Sequence, residues 1–203
     1  MIPGARQINS ALRRVPVGAV YLLGVIPAVW FFYLGMTGGL GVEPIRELEL
    51  RLGRVAIKLL VLVLAVTPLR NATGISLLKF RRAIGLLLFF YVVLHLLVWL
   101  FLDVGIWSQI WGDIVKRPFV TIGMAALLLM VPLALTSNDW AIRKLGAMRW
   151  KRLHRLTYAA AVLGALHFVI LVKGFRLDTW VYLAIILGLL ALRVPRNRPR
   201  VPA

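Results

Sequence analysis

Apolar residues fall into six long runs separated by short polar segments rich in Lys and Arg. The runs are Val17–Met36, Val55–Leu69, Ala83–Leu102, Phe119–Leu135, Leu156–Val172 and Leu177–Leu192. About 20 apolar residues in a helix cross the hydrocarbon core of a bilayer. The second and sixth runs are nearer to about 15 residues, and flanking Arg54, Lys58 and Arg193 extend them by snorkelling to the interface. Pro27 and Pro132 lie inside the first and fourth runs and predict kinks. The seven tryptophans mostly stand near the run ends, as interfacial aromatics do. The pattern predicts an all-α fold, a polytopic membrane bundle of six transmembrane helices. Its divisions are an N-terminal segment 1–16, a transmembrane domain 17–192 and a basic tail 193–203.

Composition agrees with that class. The chain has 203 residues, 61% of them hydrophobic and 16% charged. A globular domain is about half apolar and a quarter charged. The chain has no cysteine, which removes disulfides, iron–sulfur clusters and thiolate ligation of zinc or haem.

The net charge of +18 would in a soluble chain suggest nucleic acid. Here its distribution explains it. With the N-terminus in the cytoplasm, the inner segments hold 17 cations and one anion, Asp139. The outer segments hold eight cations and six anions. This positive-inside bias predicts both termini in the cytoplasm and needs no nucleic-acid partner. The first run follows basic residues but lacks a small-x-small cleavage pattern, so it reads as a retained span. No internal repeat is evident in the sequence.

Three histidines exist: His95, His154 and His167. An ionisable residue within a span is costly and suggests function. His95 and His167 lie at matched depth, within about 10 Å of the outer face at 1.5 Å per residue. Two imidazoles facing across a bundle suit the two axial positions of a haem iron. Gly164 stands three residues before His167 on the same face, where a missing side chain admits a flat macrocycle. Zinc fits less well, because no third or fourth ligand lies at that depth.

His154 sits at the inner end of the fifth run within Trp150-Lys-Arg-Leu-His-Arg155. It reads either as an interfacial histidine among cations or as a contact for a second redox group. The third run has Arg81 and Arg82 rather than histidine at that depth. The inner cluster of Arg81, Arg82, Arg149, Lys151 and Arg152 reads as positive-inside loop charge, or as a holder for haem propionates, a flavin phosphate or lipid headgroups. Gly38-Gly-Leu-Gly41 ends a span and is no dinucleotide fingerprint. Electrons must therefore enter from a partner or from quinol.

Several segments together carry a resemblance. They are Gly38-Gly-Leu-Gly-Val-Glu-Pro44, Thr67-Pro-Leu-Arg70, Arg81-Arg-Ala-Ile-Gly-Leu86, Leu94-His95 and Lys116-Arg-Pro-Phe-Val-Thr-Ile-Gly123. To these are added Leu135-Thr-Ser137, Arg143-Lys-Leu-Gly146, Arg149-Trp-Lys-Arg-Leu-His154 and Ala165-Leu-His167. In order and spacing, over residues 17–192, the chain resembles the MsrQ family of the ferric-reductase-like transmembrane group. The resemblance implies haem b held by His95 and His167. It implies a second-haem or inner-cofactor role for His154, with FMN as a candidate cofactor; Arg81, Arg82, Arg152 and Gly164 are candidate cofactor contacts by their own positions in the chain. It further implies a bacterial inner-membrane subunit fed from the quinone pool. That subunit serves a periplasmic molybdopterin-containing partner that reduces methionine sulfoxide in proteins, so substrate reduction belongs to the partner.

Two other readings stay open: a cytochrome b subunit for another reductase, and a proton channel or transporter using the histidines as a relay. On the redox reading, the outer segments 37–54, 103–118 and 173–179 form the docking surface. Glu43, Glu47 and Glu49 are its candidate acidic patch.

Overall fold

The computed structural model describes residues 4–171 and 176–193. Lys173, the end of the fifth run at Val172, and most of the tail, including Arg196, Arg198 and Arg200, lie outside the described residues. Among the described residues there is no strand. The helices are α1 (Ala5–Arg14), α2 (Val17–Met36), α3 (Pro44–Thr73), α4 (Arg81–Leu97), α5 (Trp107–Lys116), α6 (Pro118–Leu135), α7 (Asp139–Leu145), α8 (Ala147–Leu153), α9 (Leu156–Ile170) and α10 (Leu177–Ala191). A 3₁₀ turn, Leu78–Phe80, leads into α4, and a π-helical stretch, Val98–Val104, continues it. Five helical segments are long and apolar enough to cross a membrane, and α10 is a shorter apolar sixth. The protein is thus an all-helical, multi-pass membrane bundle.

The largest departure from the hydrophobic pattern is α3, which begins at Pro44 rather than near Val55 and runs for 30 residues. Proline at the first helical position has its φ preset and no N–H to leave unpaired. In the charged turns that follow, most polar residues face outward, and Arg51 Nε donates to Glu47 at 2.8 Å. Leu48, Leu52 and Ala56 meanwhile recur every four residues on the buried face. An apolar-run reading treats those charges as a loop. The segments read as loops at 1–16, 103–118 and 136–155 likewise hold the short helices α1, α5, α7 and α8. Gly146, at φ 75° and ψ 151°, makes the sharp break between the last two in a region of backbone space that only glycine enters freely.

The bundle is built from two closely packed helix pairs, α3 with α4 and α6 with α9. Helix α10 packs on α9 and α3, and α2 packs on α4 and α3. Only Ala28 of α2 is buried, while Leu22, Leu23, Ile26, Val29 and Trp30 are exposed. In a membrane protein these residues face lipid, so their exposure costs nothing.

The break at Pro68 is repaired by a neighbour, as a bilayer interior demands. Pro68 within α3 has no N–H for the carbonyl of Leu64. Arg193, just past α10, donates to that carbonyl at 2.6 Å and to that of Val63 at 3.4 Å. Beside Pro27 in α2, the Tyr91 hydroxyl donates to the Gly24 carbonyl at 2.7 Å. Tyr91 is fully buried. The Pro68 break thus becomes a tie between α3 and the end of α10, and Tyr91 ties α4 to α2 one residue from the carbonyl that Pro27 frees.

Candidate functional site

Between the two helix pairs runs a cavity of about 740 Å³. One end is lined by Glu49, Gly53, His95, Phe119, Gly123 and His167, and the other by Arg81, Arg82, Ser137, Trp150, Lys151, His154, Arg155 and Arg193. Leu60, Leu64, Leu88, Val92, Leu127 and Met130 form an apolar waist.

At the first end, α4 presents His95 and α9 presents His167. Their ring centroids are 6.2 Å apart and their planes stand at 81°. The Nδ1 of His95 lies 3.0 Å from the carbonyl oxygen of Glu49 on α3. The Nδ1 of His167 lies 2.7 Å from the carbonyl oxygen of Phe119 on α6. A carbonyl oxygen only accepts, so each Nδ1 carries the proton and each Nε2 keeps its lone pair. That arrangement fixes a ligating histidine in tautomer and orientation and raises its basicity. An ion bonded at about 2 Å to one nitrogen of each ring separates the two centroids by roughly 6 Å. The pair therefore fits a single iron between two imidazoles. Among the described residues no group of three or more His, Cys, Asp or Glu stands together to hold an ion. A group that carries its own nitrogen ligands, as haem does, would therefore suit the pair better than a bare ion. The Glu49 carboxylate stands 3.8 Å from His95 Nε2, beyond hydrogen-bond reach.

The other end of the cavity is different. His154 caps α8, stacks on Trp150 at a centroid distance of 3.9 Å, and places Nε2 3.0 Å from Thr136 Oγ1. The Thr136 hydroxyl proton goes to the Pro132 carbonyl at 2.6 Å, so the hydroxyl oxygen accepts from His154 Nε2–H. Arg193 crosses the end of the cavity, its Cζ 5.9 Å from the Tyr158 ring. Its Nε is buried without a hydrogen-bond partner. Arg82 pairs with Asp139 at 2.6 Å, and this bond holds the Asp139 carboxyl below the usual range.

Most of the residues singled out from sequence meet at this cavity. His95, His167 and Gly164 line one continuous wall with His154, Arg81 and Arg82. Arg152 does not line it; Lys151 on α8 and Arg155 at the turn into α9 stand there instead. A Cβ on Gly164 would meet only Leu60 Cδ2, at an ordinary 3.7 Å. The glycines pressed against the histidines are others. A Cβ at Gly123 would lie 2.7 Å from His167 Nδ1, and one at Gly53 would lie 3.5 Å from His95. Arg193, whose place in the sequence suggests only a snorkelling flank, also lines the cavity. The three glutamates do not form one patch. Glu43 and Glu47 pair with Arg46 and Arg51 on the outside, but Glu49 turns into the cavity, because two residues along a helix rotate by about 200°.

These features define a multi-pass membrane protein with paired intramembrane imidazoles at one end of an internal cavity. Residues 52–165 match the family model of the ferric reductase like transmembrane component. Proteins of Brucella ovis, Brucella canis and Brucella suis are each named protein-methionine-sulfoxide reductase heme-binding subunit MsrQ. Each is 50% identical over 187 residues, which span 91% of this chain and 84% of the relative. The chain belongs to the MsrQ family. No solved structure matches it significantly.

Proposed function

We propose that this chain is the haem-binding subunit of a protein-methionine-sulfoxide reductase, an electron-transfer subunit whose partner reduces the substrate. One observation carries the reading: two imidazoles face one cavity at 6.2 Å, each with Nδ1 committed to a backbone carbonyl. The names of the Brucella relatives support it.

Bound haem b supplies one-electron chemistry at a potential set by bis-His ligation and a dry surround. The chain's residues do the rest. His95 and His167 offer their Nε2 lone pairs from α4 and α9. The Glu49 and Phe119 carbonyls hold both rings against rotation. The waist of Leu60, Leu64, Leu127 and Met130 excludes water. Arg81, Lys151, Arg155 and Arg193 give the inner end a positive potential suited to anionic groups: the phosphate of FMN, a propionate, or a lipid headgroup. His154 stands there as the contact for a second haem or another inner cofactor.

In this reading electrons enter near the basic end from the quinone pool. They leave at the histidine end to a molybdopterin-containing catalytic subunit in the periplasm, and the protein resides in the bacterial inner membrane with both termini in the cytoplasm.

The test is spectroscopic. The purified protein is red, with a b-type band that sharpens on reduction, and a periplasmic molybdoenzyme co-purifies with it. Red protein without that partner points to a cytochrome b subunit of another reductase, and colourless protein points to a histidine relay. A reporter fused at Ala203 is active only if it works in the cytoplasm; activity of a periplasmic reporter there overturns the orientation.

A further inference from the structure

We propose that Gly53 and Gly123 are positioning residues that expose the carbonyls anchoring the two histidines, and that Gly123 sets the electronic properties of the site through His167. The inference rests on the haem reading above and names residues that reading does not use.

The two anchors share one local design. His95 bonds the carbonyl of residue 49, and glycine stands at 53. His167 bonds the carbonyl of residue 119, and glycine stands at 123. In both, glycine lies four residues after the accepting carbonyl. The geometry of a helix gives the reason. The Cα–Cβ bond tilts toward the N-terminus, so a side chain at i+4 lies over the carbonyl of residue i. That carbonyl already accepts the backbone N–H of i+4, and its second lone pair opens sideways most freely where no side chain covers it. Glycine at i+4 lets an imidazole from the neighbouring helix reach it. Each accepting helix and its partner form one of the two closest-packed pairs, α3 with α4 and α6 with α9. The same device thus appears once in each half of the bundle.

The halves differ in clearance. At Gly53 an added Cβ meets His95 at 3.5 Å, an ordinary contact. At Gly123 it meets His167 Nδ1 at 2.7 Å and Cε1 at 2.9 Å, which a real Cβ does not tolerate. The ring cannot yield without lengthening its 2.7 Å bond to Phe119. A lengthened bond makes the imidazole a weaker donor to the ferric ion, which raises the reduction potential.

The experiment compares Gly123→Ala, Gly53→Ala and Gly188→Ala in the full-length protein, by potentiometric titration and by the low-spin ferric EPR signal. A Cβ at Gly188 meets nothing within 4 Å. The expected result is an upward shift of the midpoint and an altered EPR signal in Gly123→Ala, a smaller change in Gly53→Ala, and none in Gly188→Ala. A midpoint and signal in Gly123→Ala equal to the unsubstituted protein's overturn the proposal. So does a Gly188→Ala shift as large as that of Gly123→Ala. Thermal unfolding supplies a second arm that works even where little haem is retained. Gly123→Ala lowers the unfolding temperature when His167 is present and has little effect beside His167→Ala, where no ring is left to displace. Equal destabilisation in both backgrounds shows a merely structural glycine and overturns the proposal. Failure of the haem reading itself is distinct: the unsubstituted protein then shows no bis-His signal at all.

Discussion

The two ends of the cavity use histidine in opposite ways. At the His95–His167 end both rings are neutral donors whose Nδ1–H groups are spent on backbone carbonyls, leaving both Nε2 lone pairs free. At the other end His154 spends Nε2–H on Thr136 and lies flat on Trp150, at the cavity end that Arg81, Lys151, Arg155 and Arg193 also line. A ring whose far nitrogen is tied to a carbonyl is prepared to bind a metal. A ring among guanidinium groups belongs to a site prepared for anions. Residue type alone does not separate the two roles; the atom that each ring's hydrogen bond consumes does.

The most severe way to break this contrast is to remove one of the paired rings. His95→Ala or His167→Ala abolishes or strongly diminishes the bis-His absorption spectrum, because each deletes one of two axial bonds. Full retention in either variant would end the assignment. His154→Ala is the sharpening counterpart: the spectrum of the histidine pair persists, and its complete loss would show that the two ends are not independent.

A smaller effect is expected at the tie beside Pro68. Arg193→Met keeps much of the stem but deletes the donor to the Leu64 carbonyl, leaving a buried acceptor unsatisfied. A cost of about 1–3 kcal/mol follows, read as a lower thermal unfolding temperature in detergent. An unchanged temperature would mean that another group takes over the carbonyl.

Reversing Glu43 and Glu47 to Lys is milder still for the site. Both are engaged in pairs on the surface, so the expected result is an unchanged spectrum and slower reoxidation of the reduced protein by the proposed catalytic partner and a methionine sulfoxide substrate. An unchanged rate would remove these residues from the docking surface.

The smallest effect concerns the exposed Arg82–Asp139 pair on the basic side. The Asp139 carboxyl is held below its usual range by the Arg82 hydrogen bond, so its contribution is fully present above the unfolded carboxylate pKa. It is lost as pH falls through the lower folded value. Asp139→Asn therefore raises proteolysis of the α7 segment slightly at neutral pH and makes no difference in strong acid. High salt should mimic the substitution.

Much of this protein is written in its sequence. The helical class and the number of spans follow from apolar runs about as long as a bilayer is thick, since a backbone in hydrocarbon must satisfy itself. The matched depth of His95 and His167 follows from counting residues along two helices that run the same way. Other features needed the packed bundle. The charged first turns of α3 are helical because of what Leu48 and Leu52 bury on the far face, which an apolar-run count cannot register. Arg152 points away from the cavity while Lys151 and Arg155 face it, a matter of rotation about an axis that only packing fixes. Gly164 was legible as a small residue near a histidine, but Gly53 and Gly123 press on the rings, because the relevant neighbour lies across a helix pair and 46 or 48 residues separate each ring from its carbonyl. Sequence spacing determines which residues share a face of one helix. Which nitrogen of a histidine is free is decided by the carbonyl of a second helix, and that carbonyl comes within reach only when the helices pack.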